Sequence, residues 1–174
     1  FKTAFTSRYK NSEVLYASKA FINKSVAKIV SDEGLGLDVV SGGELFVAID
    51  AGADMEKIYF HGNNKSVEEL EFAVKNKIGK IVVDNFYELN KLNEIAQAQG
   101  VLQDILIRVS PGIDPHTHEK TTTGILDSKF GFSIETGDAL RAIKQSELLA
   151  NLTFQGVHFH LGSPIFELEP YELV

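Results

Sequence analysis

The most constraining feature of this chain is a repeated alternation of short runs rich in β-branched residues with stretches of amphipathic, helix-period sequence. The apolar runs are VLYASKA (Val14 to Ala20), GLDVVS (Gly36 to Ser41), KIYFHG (Lys57 to Gly62), KIVVDN (Lys80 to Asn85), DILIRVSP (Asp104 to Pro111) and LTFQGVHFHLGS (Leu152 to Ser163). Between them the pattern predicts helices over Lys24 to Glu33, Glu44 to Ala51, Ser66 to Asn76, Phe86 to Gln99 and Thr136 to Gln145. Ser66-Val67-Glu68-Glu69 spells a capping box, which marks one helix start sharply. No Asn-Gly type hairpin signal joins neighbouring strands, so the sheet is expected to be parallel. Runs such as KIVV and ILIRV read as apolar on both faces, as in strands with helices on one side and a second packed layer on the other.

Polar residues collect where each run ends: Lys19, Asp38, His61, Asp84, Arg108 and His160. In an open sheet only the strand ends at the switch point converge on one site. In a (β/α) barrel all of them ring a single mouth, and six such endings favour that arrangement. The expected class is therefore α/β, a parallel (β/α)8 TIM-type barrel that is incomplete here, with about six of the eight βα units. The chain begins at Phe1 rather than Met, consistent with a piece of something longer. The irregular stretch from Ser110 to Ser133 has the length expected of a lid or binding segment.

Bulk properties exclude several function classes. With 44% apolar and 24% charged residues the chain is expected to be an ordinary globular domain, and a net charge of −7 argues against a nucleic-acid partner. No apolar run reaches the roughly 18 residues a membrane span needs, and the first residues lack a secretory core. A cytoplasmic location is the expectation. Zero cysteines remove disulfides, thiolate metal sites and any thiol nucleophile from this chain.

Lys19 ends the first strand run and admits two readings: a solvated surface amine, or an amine held for Schiff-base chemistry with a carbonyl compound. Asp38, Arg108, His160 and Ser163 are expected at the same mouth, and Arg108 is a cation able to favour the unprotonated amine. Gly42 and Gly43 stand between a strand and a helix, either as a tight turn or for close approach to a ligand. The pair His158 and His160 lies on one strand face, and His116 and His118 form a second His-x-His pair in a loop. A metal-dependent barrel hydrolase is thus a rival reading, although His158 alone suits a core histidine with satisfied hydrogen bonds. The turn at Gly162-Ser163 offers amides and a hydroxyl to a phosphate.

YASKA, DVVSGGEL, FHGNNKS, RVSPGIDPHTHEKTTTGILDSKFGFS and GVHFHLGS together resemble the fold-type III pyridoxal-phosphate decarboxylases, over nearly the whole chain and in order. The His-Thr-His loop leading into Thr-Gly and Asp-Ser-Lys-Phe-Gly is similar to the diaminopimelate branch rather than the ornithine and arginine branches. The resemblance implies an alanine-racemase-like barrel and pyridoxal 5'-phosphate as cofactor. The implied reaction is decarboxylation of the small amino acid meso-diaminopimelate to L-lysine and CO2, in a full-length homodimer. It implies that Lys19 holds the cofactor, that His160 stacks on its ring, that Ser163 lies near its phosphate, and that Asp38 and Arg108 flank the ring. No metal is implied. Pro164 stands where the family places glutamine, and the family's glycine-rich phosphate loop, its carboxylate opposite the ring nitrogen and its C-terminal β domain have no counterpart here. A fragment inactive by itself is the expectation, and a homologue that binds the cofactor without catalysis is a further alternative.

Overall fold

A computed structural model describes residues 1–112, 129–162 and 168–172. After a short N-terminal helix α1 (Lys2–Thr6), the chain runs β1 (Leu15–Ala17), α2 (Lys24–Asp32), β2 (Gly36–Val39), α3 (Gly42–Asp50), β3 (Ile58–Phe60) and α4 (Val67–Lys75). It continues with β4 (Lys80–Val83), α5 (Phe86–Gln99), β5 (Gln103–Ser110), β6 (Phe132–Ser133), α6 (Asp138–Ser146), β7 (Leu152–His158) and α7 (Glu169–Glu172). The order along the sheet is β1-β2-β3-β4-β5-β7, with β6 pairing the far end of β5, and every pairing is parallel. This is the expected partial (β/α) barrel. Helix α1 and the two-residue β6 carry too little periodicity to be read from sequence, and β6 closes the stretch expected to be wholly irregular.

Helix starts are fixed by side chains that take up the free first-turn amides. Asn23 accepts from Val26 N at 2.9 Å, Ser41 from Glu44 N at 3.2 Å and Asn85 from Glu88 N at 2.9 Å. The capping box forms as expected: Ser66 Oγ accepts from Glu69 N, and Glu69 Oε2 accepts from Ser66 N at 2.9 Å. Glu69 Oε1 also accepts from Gly42 N at 2.7 Å, so one carboxylate ties the starts of α3 and α4 together. A Cβ on Gly42 would lie 3.1 Å from Glu69 Cγ. The glycine therefore permits this close packing of the two helix starts. Ser66→Ala is expected to lower stability by about 1 kcal/mol, seen as a reduced urea midpoint with an unchanged slope.

Leu37, Val39, Ile58, Phe60, Ile81, Val83, Ile105 and Ile107 are fully buried and share the core with Leu45, Leu70, Val74, Leu89 and Leu92 from the helices. In β4 the doubly apolar expectation holds, with Ile81, Val82 and Val83 all buried, but β5 departs from it. In β5 the alternate residues Asp104, Leu106, Arg108 and Ser110 are only half-buried, so the concave face is mixed and polar toward the mouth. Register carries this pattern across the sheet. Asp38 pairs with Tyr59, Tyr59 with Lys80, and Arg108 with His158. Between Ile105 and Leu106 the β5–β7 register slips, leaving Gln155 as an extra residue before Gly156. Such a bulge changes which face the following side chains present, and here it sets His158 beside Arg108.

Candidate active site at the barrel mouth

Each polar strand end reaches the mouth by a different local route. Lys19 does not sit in β1 but in the single 3-10 turn Ser18–Ala20 that follows it. Asp38 lies within β2, Arg108 within β5, His61 and Asp84 just past β3 and β4, and His160 two residues beyond β7. A cavity of about 610 Å³ brings Lys19, Asp38, His61, Arg108, His158 and His160 together. Lys19 is solvent-exposed as a residue yet lines this cavity, and makes no hydrogen bond or ion pair with the described residues. Of the five residues expected to form the site, four share the cavity; Ser163, with Pro164, His116 and His118, lies outside the described residues.

Arg108 is held from two sides. Its guanidinium lies over the Phe130 ring at 4.3 Å, and its Nε is 3.7 Å from Asp84 Oδ1. The other Asp84 oxygen accepts from Gly131 N at 3.0 Å. Gly131 has φ +74°, and a Cβ there would come within 2.9 Å of the Arg108 carbonyl oxygen. Only glycine meets both demands. Gly131→Ala is expected to destabilise by at least about 1–2 kcal/mol and to loosen Arg108, checked by thermal melting beside cofactor affinity.

Behind the cavity Lys65 is buried, and its Nζ donates to Gly62 O (2.7 Å), Val82 O (2.9 Å) and Glu88 Oε1 (2.7 Å). This amine fastens the ends of β3 and β4, which carry His61 and Asp84. Sequence spacing does not reveal it, because a lysine in a strand-to-helix loop ordinarily reaches solvent. His158 also departs from expectation. It lines the cavity and packs edge-on against His61 (ring centroids 4.6 Å apart, 72° between planes), with no hydrogen-bond partner for its Nδ1.

The site's electrostatics follow from burial. Desolvation raises Asp38 to about 7, against the opposing pull of Lys19 and Arg108. Desolvation first, then neighbouring positive groups, lowers His61 to about 2 and His158 to about 4. His160 is lowered for the same reason, with Lys19 and Arg108 adding to it. The imidazoles are therefore neutral at pH 7.

These shifts set a pH dependence with a definite sign. The depressed histidines contribute stability that is complete above their unfolded value of 6.5 and drains as pH falls toward 4. Asp38 acts oppositely: its contribution is full below 3.8 and is lost as pH rises through about 7. Between pH 4 and 6.5 the unfolded chain thus binds two more protons at the histidines and one fewer at Asp38. Asp38→Asn is expected to steepen the acid-side loss from these groups from ~1.4 to ~2.7 kcal/mol per pH unit, measured by urea unfolding across that range.

The site suits an anionic, planar, aldehyde-bearing group. An amine and neutral imidazoles face one cavity beside the Arg108 cation. Asp38 Oδ1, His61 Nε2 and His158 Nδ1, all on cavity-lining residues, are buried without hydrogen-bond partners. Metal ligation finds less support, since among the described residues no group of three or more His, Asp or Glu side chains is placed to hold an ion. Among the described residues no helix is long and apolar enough to cross a membrane.

Comparison with known proteins agrees with this chemistry. Residues 2–173 match the family described as pyridoxal-dependent decarboxylase, pyridoxal binding domain. The chain is 48% identical to diaminopimelate decarboxylase of Bacillus subtilis over 173 residues, covering 99% of this chain and 39% of that protein. It is 46% identical to the Mycobacterium tuberculosis enzyme of the same name over 162 residues, covering 93% of this chain and 36% of the relative. Among solved structures it is similar to diaminopimelate decarboxylase from M. jannaschii in complex with L-lysine (TM-score 0.87, 34% identity, 97% of this chain and 39% of that one). It is also similar to the Helicobacter pylori enzyme with L-lysine (TM-score 0.83, 36% identity, 97% and 44%). The chain thus spans about two-fifths of the length of the relatives it matches. A cavity that joins a lysine amine to neutral imidazoles, in a fold matched from end to end, places the chain in the family of pyridoxal-dependent decarboxylases, as their pyridoxal-binding domain.

Proposed function

We propose that the intact protein decarboxylates meso-diaminopimelate to L-lysine and CO2, and that this chain supplies the part of the barrel that grips pyridoxal 5'-phosphate. The observation that carries the proposal is the meeting of Lys19, Asp38, Arg108 and His160 in one cavity. Its support on the substrate side is similarity to enzymes named diaminopimelate decarboxylase, two of them solved with L-lysine.

Lys19 holds the cofactor through its Nζ, from a turn that no competing ion pair among the described residues restrains. His160 offers an uncharged aromatic face, Arg108 stays positively charged although burial lowers it from its usual value, and Asp38 lines the same cavity, where Lys19 and Arg108 act on its carboxyl. Ser163, outside the described residues, is the position that the family resemblance assigns near the phosphate. When bound, the cofactor supplies a sink for the electron pair released as CO2 leaves. The protein's part is orientation: Arg108 braced by Phe130 and Asp84, and the β3 and β4 ends fastened by Lys65. The intact protein is a cytoplasmic homodimer, in which a C-terminal β domain and the partner subunit complete the substrate pocket.

The full-length protein, loaded with pyridoxal phosphate and given meso-diaminopimelate, is expected to release CO2 and L-lysine in equal amounts. Release from ornithine or arginine instead, or none from any amino acid, would overturn the proposal. The 174-residue chain alone is expected to show negligible turnover.

A further inference from the structure

One cluster at the mouth joins Asp38 of the proposed cofactor site to His61 and His158, which have no part in gripping the cofactor as described. Asp38 Oδ1 lies 3.3 Å from His61 Nε2, and neither atom has a hydrogen-bond partner that satisfies angle as well as distance. Both side chains are largely withdrawn from solvent, and His158 from β7 meets the His61 ring edge-on at 4.6 Å. The cluster therefore spans three strands, β2, β3 and β7, and faces Lys19 across the cavity. Two acceptor-capable atoms this close repel unless a proton lies between them.

We propose that Asp38 and His61 titrate as one unit, with His61 as a positioning residue that sets the charge Asp38 presents to Lys19. The inference deepens the cofactor-binding reading and rests on it. At high pH the pair holds one proton, on Nε2 facing the Asp38 carboxylate at 3.3 Å, and its net charge is −1. Taking up one proton makes the pair neutral, with the second site either Oδ1 or the imidazole. Such protons belong to the pair rather than to either residue. His158, neutral at pH 7, fixes the His61 ring without adding charge.

Charged and titratable groups face the pair from several elements. Lys19 after β1, Glu44 on α3 and Arg108 on β5 act on Asp38, while His158, Lys65, Arg108 and Lys19 act on His61. The cations favour the charged pair; burial and Glu44 favour the neutral one. Neutralising the pair removes one negative charge that acts on Lys19 and Arg108, while Asp84 still pairs with Arg108; the change favours an anionic ligand. Affinity for pyridoxal phosphate is accordingly expected to rise as pH falls through the pair's titration.

The test uses the full-length protein without cofactor, followed by the same protein with it. Imidazole 15N NMR of the apo protein is expected to show His61 Nε2 moving with pH in step with the Asp38 carboxyl carbon. Asp38→Asn is expected to displace the His61 titration by about one pH unit or more, or to abolish it. With pyridoxal phosphate added, the pH midpoint for its binding, read by absorbance, is expected to shift in both Asp38→Asn and His61→Gln. The double variant is expected to shift it no further than the larger single one. His61 nitrogens that titrate as a free imidazole, or that ignore Asp38→Asn, would overturn the inference whether or not cofactor binds. A coupled NMR titration in a protein that binds no pyridoxal phosphate would sustain the shared proton and sink the cofactor reading instead.

Discussion

Lys65→Met is expected to destabilise the fold by about 3–5 kcal/mol, a loss well above those expected from Ser66→Ala or Gly131→Ala. The Lys65 and Glu88 side chains are almost wholly buried, so removing the amine strands a carboxylate and frees the carbonyls of Gly62 and Val82 at once. Burial already raises Glu88 above the usual carboxylate range, and Lys65 is the main group opposing that rise. In the variant Glu88 shifts further upward, so the loss is expected to shrink as pH falls and the folded state takes up the proton. Adding Glu88→Leu is expected to recover about 1–4 kcal/mol, because an apolar pair of similar volume needs no compensating charge. Urea unfolding of the two single variants and the double variant, with the coupling energy taken from the cycle, checks both statements. The loosened ends of β3 and β4 carry His61 and Asp84, so cofactor affinity is expected to fall with stability.

Lys19→Ala separates these quantities. Lys19 is exposed and makes no hydrogen bond or ion pair with the described residues, so stability is expected to stay within about 0.5 kcal/mol of the parent. Under the proposed role of Lys19, turnover of the full-length protein is expected to fall by about 10^3-fold or more, because no other amine lines the cavity among the described residues. Lys19→Arg is expected to fail equally, since a guanidinium keeps its proton and cannot serve as a nucleophile at neutral pH. Thermal melting beside single-turnover kinetics distinguishes this pattern from that of Lys65, where both quantities fall together.

The contrast between the two lysines also shows what is legible in the sequence. The βα alternation and the capping residues are local properties, encoded within a few residues of where they act. The parallel sheet, the helix starts at Ser66 and Phe86, and the ring of strand-end polar residues can therefore be read directly. Lys19 is visible because it terminates an apolar run. Lys65 is not, because its importance comes from Glu88, 23 residues away, and from the carbonyls of Gly62 and Val82 at the ends of two different strands. His158 is misread for a related reason. Whether it is a satisfied core histidine or an unpartnered one in the cavity depends on the extra residue at Gln155 and on His61 across the sheet. A bulge of this kind leaves no mark in hydrophobic period. Gly42 shows its special position but not the close approach of Glu69 from the next helix that the position accommodates.

The measurement closest to the central claim is covalent trapping. The full-length protein, saturated with pyridoxal phosphate, reduced with borohydride and digested, is expected to yield one pyridoxyl-labelled peptide carrying the modification on Lys19. Label on Lys65, on any other lysine, or on none would contradict the assignment of Lys19 as the amine that holds the cofactor.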